Sequence, residues 1–182
     1  MNANYLTKNL VKVAALTVLA AGLVSAQSKE KVALEKEGIE LIKQLEDVGN
    51  EIKYHGEHLE VFSRTPGISK WSHWHHLMEV KHLVNEGLQP ALSRLVEIRP
   101  QLPEWKQPSI DKMLAAAKEM AADTNNALLA SKSPVAPLMN AAYRDFVARV
   151  VQHADSLGKT ADAAVDFAEA QLKADEAAKR IK

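Results

Sequence analysis

Apolar side chains recur at alternating steps of three and four residues along almost the whole chain after residue 28. A spacing near 3.5 residues is typical of amphipathic helices that pack against one another as in coiled coils. No segment shows the two-residue alternation of a half-buried strand. The pattern therefore predicts an all-α fold.

The first predicted helix spans about 28–62 and passes through Gly49 without a change of phase. A glycine inside a helix lowers its stability, so a weak point is expected at Gly49. Gly38 fills one step of the apolar stripe, whose other members are Leu34, Leu41, Leu45, Val48, Ile52, His55, Leu59 and Phe62.

The second predicted helix, about 69–99, begins with Ser69 as its N-cap and is expected to kink at Gly87 and Pro90. Its stripe consists of His73, Leu77, Val80, Val84, Leu88, Ala91, Leu95 and Ile98. The third helix spans about 108–131, with inward positions at Ile110, Leu114, Ala117, Ala121, Thr124 and Leu128.

The fourth predicted helix spans about 134–181 and follows a Ser133 cap. Gly158 is a point where it could divide, with Thr160 as a second cap. Its stripe consists of Tyr143, Phe146, Val150, His153, Leu157, Ala164, Phe167 and Gln171.

Short connections between four helices predict an antiparallel up-down-up-down four-helix bundle. At about 1.5 Å per residue, the third helix is about 36 Å long and the fourth about 70 Å. The long first and last helices are therefore expected to project from one end of the bundle as a stalk.

Residues 1–26 have the pattern of a secretory signal peptide. Lys8 and Lys12 precede an apolar run, and small residues at 24–26 favour cleavage after Ala26. The alternative is an N-terminal membrane anchor, although the run is short for a bilayer. Cleavage would leave a single soluble domain, 27–182, in the periplasm or secreted, with no stable membrane insertion.

Composition excludes several functions. The chain has no cysteine, which excludes disulfides, thiolate metal sites, Fe–S clusters and a cysteine nucleophile. The leader contains two of the 23 basic residues and none of the 23 acidic ones, so the mature chain has a net charge of −2 and no electrostatic basis for nucleic-acid binding. No hydrolase, phosphate-binding or dinucleotide motif is present, so an enzyme is not expected.

Histidines are the unusual polar feature. His55 and His58 form one i,i+3 pair, and His73 and His76 form another across the predicted turn. The two pairs lie at equal heights, on flanks that either face each other or both face away, depending on the handedness of the bundle. If they face each other, four imidazoles form a site for Zn, Cu or Ni.

Two further observations belong to this histidine prediction. Glu57 and Asp123 are the nearest carboxylates by height, as ligands or as partners of the ligands. The competing interpretation is structural: His55 and His73 are neutral groups bonded to each other or to Tyr143.

A second group, Trp71, His75, Met78 and His82, lies at helical spacing on the outward face of the second helix. Such a stripe predicts a surface for a protein partner or a homodimer, the alternative being an ordinary surface with a few large side chains. The sequence thus predicts an exported, non-enzymatic binding bundle. A metal-binding bundle is the alternative, and a bundle that binds b-type haem is a weaker one, with Met113 and Met120 more typical of core residues.

Overall fold

The computed structural model describes the backbone of residues 3–133 and 140–180, and the side chains of residues 30–133, 140–178 and 180. Helix α1 (Ala3–Phe62) leads to α2 (Lys70–His82), a π-helical segment (Leu83–Leu88) and α3 (Gln89–Ile98). Two short 3-10 turns precede α4 (Gln107–Ser131), and α5 (Ala141–Arg180) closes the fold. The predicted all-α class is confirmed.

The helices form the predicted antiparallel four-helix bundle. Helix α1 packs against α5 on one side and against α2 and α3 on the other, while α4 packs mainly against α5 and α2. In the part of the chain that is described, no helix is long and apolar enough to cross a membrane. The signal peptide predicted at 1–26 lies outside the residues with described side chains and stays a prediction.

The core face of α1 differs from the predicted stripe. Every second member of that stripe, including Leu41, Val48 and His55, is only half-buried and lies on a flank. The buried positions of α1 are Gly38, Ile42, Leu45, Gly49, Ile52, Gly56 and Leu59. Glycine has no apolar side chain to mark it as a core position. The predicted stripe was therefore assigned to the larger apolar residues beside the glycines.

The buried glycines allow α1 to approach α5 closely. A Cβ atom built on Gly56 would lie 2.7 Å from Val151 Cγ2, and one built on Gly49 would lie 2.8 Å from Leu157 Cδ2. Both distances are far inside van der Waals contact. Gly49 is therefore a site of close packing, and α1 is continuous through it, as predicted.

The predicted stripe of the second helix is confirmed over its whole length, from His73 to Ile98. Ser69 caps α2 by accepting the Ser72 N–H at 3.1 Å. The interruption expected at Gly87 and Pro90 takes the form of the π-helical segment, at whose end the Gln89 N–H reaches the Val84 carbonyl five residues back.

Helices α4 and α5 also differ in part from their predicted stripes. On α4, Met113 and Met120 are fully buried, whereas the predicted Leu114 and Leu128 lie on the flanks. On α5, alanines 154, 161, 164 and 168 are buried, while Phe167 is 48% exposed.

Helix α5 is continuous through Gly158, which settles the question that the sequence left open, and Thr160 does not act as a second cap. Instead, Thr160 donates to the Ser156 carbonyl within the helix. The helix begins at Ala141, where Asn140 accepts the Tyr143 N–H at 3.1 Å and acts as the cap. Residues 134–139, which include the proline of the predicted Ser133 cap, lie outside the described residues.

At the end of the bundle opposite the histidines, α5 is exposed throughout 169–178. The predicted projection is thus present for the last helix. Nearby, the fully buried Lys106 reaches Glu35 of α1 at 3.2 Å and lies over the Trp105 ring. This ion pair lies at that end of the hydrophobic core.

Candidate functional site at the turn between α1 and α2

The histidines meet where the chain reverses between α1 and α2. Helix α1 ends at Phe62, and the chain turns through Gly67, whose φ of +87° is in the left-handed region that favours glycine. Ser69 then starts α2. A reversal this short puts His55 and His58 beside the first turns of α2, as predicted.

Three of the four predicted metal ligands come together. The Nδ1 atoms of His55 and His76 lie 2.9 Å apart, so one ring donates its proton to the other. The His58 ring stacks on His76, with centroids 5.1 Å apart and planes 9° apart. His58 Nδ1 donates to the Tyr54 carbonyl at 2.8 Å, which leaves its Nε2 as a lone-pair donor.

The fourth, His73, is turned into the core. It is 3% exposed, and its Nδ1 lies 3.2 Å from the Tyr143 hydroxyl on α5. The Phe62 ring contacts both His73 and His76 edge-on, at centroid distances of 5.8 and 5.3 Å. His73 thus makes the Tyr143 contact of the structural interpretation, while the other three imidazoles remain together.

In the conformation described, no three His, Asp or Glu side chains of the described residues are placed to hold a metal ion together. The close nitrogen pair, His55 and His76, supplies two of the atoms that such a site needs. A third would come from rotation of the His58 ring out of its stack.

Neither predicted carboxylate is seen to serve the cluster. Asp123 receives a two-pronged hydrogen bond from Arg149, at 2.8 and 3.0 Å, and lies 3.4 Å from His153 Nε2. The charge of Glu57 acts instead on Lys53. Asp123 therefore belongs to an ion-pair group between α4 and α5.

Burial is the main cause of the histidine pKa values. It lowers the pKa of His55, His73 and His76 below the ordinary histidine value. At His55 and His76 the positive charge of the neighbouring imidazoles lowers the pKa further, while Glu79 opposes the shift. Glu79 was not among the carboxylates predicted beside the cluster, although its i,i+3 spacing from His76 was a usable signal.

These shifts make stability depend on pH. The unfolded chain takes up protons near pH 6.5, the ordinary histidine value, whereas the folded chain takes them up only at lower pH. The three histidines therefore make their full contribution to the free energy of unfolding above about pH 7. This contribution is lost progressively as the pH drops through about 6.5.

Urea unfolding followed by circular dichroism between pH 5.5 and 7.5, with a chelator present, measures this dependence. We expect a lower midpoint at pH 5.5, and a flatter pH profile for His73→Phe than for a variant of the exposed His82, His82→Gln. A midpoint that rises on acidification would contradict the expectation.

Aromatic side chains surround the histidines at the surface. Trp71 is 69% exposed and stacks on His75, with centroids 5.5 Å apart and planes 4° apart. Of the other predicted members of this surface, His82 is exposed and Met78 half-buried. Trp74, also exposed, was missed, although it follows Trp71 by one helical step.

Comparison of the chain with protein-family models, with curated proteins and with solved structures finds no match. Function is therefore inferred from the residues of this chain alone.

Proposed function

We propose that the chain is an exported helical-bundle protein that acts by binding and not by catalysis. Its binding surface is the turn end of the bundle, which we define by His55, His58, Trp71, His75 and His76. This is where imidazoles and exposed tryptophan lie together on the two neighbouring helices. The predicted leader supports export.

The ligand that this end fits best is a transition-metal ion. The observation that carries the proposal is the 2.9 Å separation between Nδ1 of His55 and Nδ1 of His76. Imidazole binds such metals at about 2.0–2.1 Å, so two bound nitrogens lie about 2.9 Å apart at a right angle and about 3.3 Å apart in a tetrahedron. A metal ion would replace the proton that the two rings now share.

His58 is the third ligand in this proposal. Its Nδ1–H is held by the Tyr54 carbonyl, which is the support that metal-ligating histidines typically have on the non-ligating nitrogen. Its ring would rotate from the His76 stack to present Nε2. Zn, Cu and Ni all suit a neutral imidazole set, and Glu79 supplies a negative charge close by.

Calorimetry and thermal unfolding of residues 27–182 with Zn²⁺, Cu²⁺ and Ni²⁺ salts test this function. We expect one ion per chain and a higher melting temperature, since metal at 100 times its Kd adds about 2.7 kcal/mol to stability. His55→Ala and His76→Ala should each weaken binding at least tenfold, because each removes one of the close nitrogens.

His82→Ala and His153→Ala are the matched controls, because neither residue belongs to the cluster. His73→Gln should lower stability without changing the metal affinity, which separates the buried histidine from the three proposed ligands. An unchanged melting temperature with all three metals, or equal losses in the controls, would remove the metal proposal.

A protein partner, or a second copy of the chain, is the second candidate ligand. It is favoured by the 69% exposure of Trp71 beside the exposed Trp74. Exposed tryptophans of this kind are frequent anchors in protein interfaces. The surface would comprise Trp71, Trp74, His75, Met78 and His82.

Light scattering over a range of protein concentrations tests self-association at this surface. A dimer that Trp71→Ser disrupts, and that Leu129→Ser leaves intact, would support it; Leu129 is a similarly exposed apolar residue on α4. A monomer at every concentration would argue against the homodimer.

Haem binding has weaker support. Met113 and Met120, the methionines considered for it, are fully buried in the core. The described side chains therefore favour a metal ion over haem.

A further inference from the structure

A groove that contains none of the clustered histidines lies where the π-helical segment and α3 face α4. Its volume is about 640 Å³. One wall is formed by Val84 and Leu88 of the π-helical segment and Leu92 of α3, and the α4 wall by Leu114, Ala117 and Ala121. Both walls are thus largely apolar.

The groove follows from the way in which these helices are built. Helix α3 packs mainly against α1 and contacts α4 much less closely. The π-helical segment lies at one end of the groove, and the α4 wall carries two alanines, whose side chains are small. The opening is therefore a property of the backbone and of small side chains.

The polar residues along the rim of the groove are neutral, with one exception. Asn85, Gln89 and Ser93 are neutral, and Lys118 is the only charged residue among those lining the groove. Within the described residues, Lys118 makes no ion pair. Its aliphatic stem can lie along the apolar wall while the amino group stays at the rim.

The groove is elongated. From Val84 to Val96 it extends about 18 Å along the helix axis. This shape, with a single amino group at the rim, matches a ligand that has one extended apolar chain and one negative charge.

We propose that this groove binds a long-chain carboxylate such as a fatty acid anion. The acyl chain lies between the two apolar walls, and the carboxylate pairs with the amino group of Lys118. Because each buried methylene contributes a similar transfer free energy, affinity rises about two- to fourfold per added methylene in a groove that remains partly open. The site is independent of the histidine cluster.

Calorimetry with matched twelve-carbon probes below their micelle-forming concentrations tests this site on residues 27–182 in the presence of a chelator. Dodecanoate should bind one per chain, more tightly than decanoate and about tenfold more tightly than dodecylammonium. Lys118→Gln should weaken dodecanoate about tenfold and leave dodecanol unchanged. Lys112→Gln, an exposed lysine of α4 outside the groove, is the matched control.

Ala121→Leu fills the groove from a half-exposed position and should abolish binding of both dodecanoate and dodecanol, with an unchanged circular dichroism spectrum. His55→Ala should leave binding intact, so failure of the metal proposal does not affect this one. The proposal is overturned if dodecanoate does not bind, if Ala121→Leu binds it normally, or if Lys118→Gln retains the preference for the carboxylate. It is also overturned if light scattering shows a dimer that Ala121→Leu dissociates, because the occupant is then a second copy.

Discussion

Replacement of Gly56 by leucine is expected to lower the free energy of unfolding by about 1–2 kcal/mol. Overpacking of a close contact costs about 1–3 kcal/mol, and the better helix propensity of leucine returns somewhat less than 1 kcal/mol. The built Cβ lies 2.7 Å from Val151 Cγ2, and the β-branched Val151 has few other rotamers to adopt. The clash must therefore separate α1 from α5.

Urea unfolding of Gly56→Leu measures the loss. Glu57→Leu is the control, since it places the same side chain at the adjacent exposed position of α1. The double variant with Val151→Ala should recover most of the lost stability, because it removes the methyl group that the new side chain meets. Equal stability of Gly56→Leu and Glu57→Leu would show that α1 and α5 are not packed this closely.

Removal of Glu35 is expected to destabilise the fold much more than removal of its partner Lys106. Lys106 is fully buried, and its ammonium group has Glu35 at 3.2 Å and the Trp105 ring beneath it. Breaking a buried pair costs about 3–5 kcal/mol, and about 2–3 kcal/mol is appropriate here because Glu35 is 37% exposed.

The test compares the loss of stability in two single variants, Glu35→Leu and Lys106→Met. Glu35→Leu leaves a positive charge inside the core, whereas Lys106→Met leaves a carboxylate that can reach water, so the latter should cost less than about 1 kcal/mol. Thermal and urea unfolding of both, with the double variant, measures the difference. Equal losses would mean that the Lys106 ammonium group reaches solvent.

The sequence predicts the class, the order and the packing of the helices because long runs of apolar spacing specify them. It predicts the α2–α3 stripe correctly, since large side chains such as Leu77 and Leu95 occupy its centre. It misassigns half of α1 and parts of α5, where glycine and alanine form the contact. Close packing there depends on the absence of side-chain atoms, which an apolar pattern does not register.

The sequence predicts how far along each helix the clustered histidines lie, but it predicts only in part the direction in which each side chain points. His55, His58 and His76 meet as expected from their distances to the turn. His73 lies at the centre of the apolar stripe, some 60° around the helix from His76, and this angle places one ring in the core and the other at the flank. The partner of His73, Tyr143, is distant in sequence and was only one of the alternatives.

The groove beside α4 could not be predicted from the pattern, because its width depends on the divergence of two backbones. Residues such as Ala117 and Ala121 were expected to face the core. Whether they meet a neighbouring helix or a gap is decided by the π-helical segment and by the path of α3. The spacing of apolar residues along the sequence contains no information on the distance between two helices.

The π-helical segment also affects how this chain can change in length during evolution. Buried positions advance by two consecutive steps of four at Val80, Val84 and Leu88, whereas the steps on either side alternate between three and four. A single-residue insertion in an ordinary α-helix rotates all later side chains by about 100°. The wider turn absorbs one extra residue, so 83–88 is where a deletion could restore a regular helix and still leave Leu95 and Ile98 facing inward.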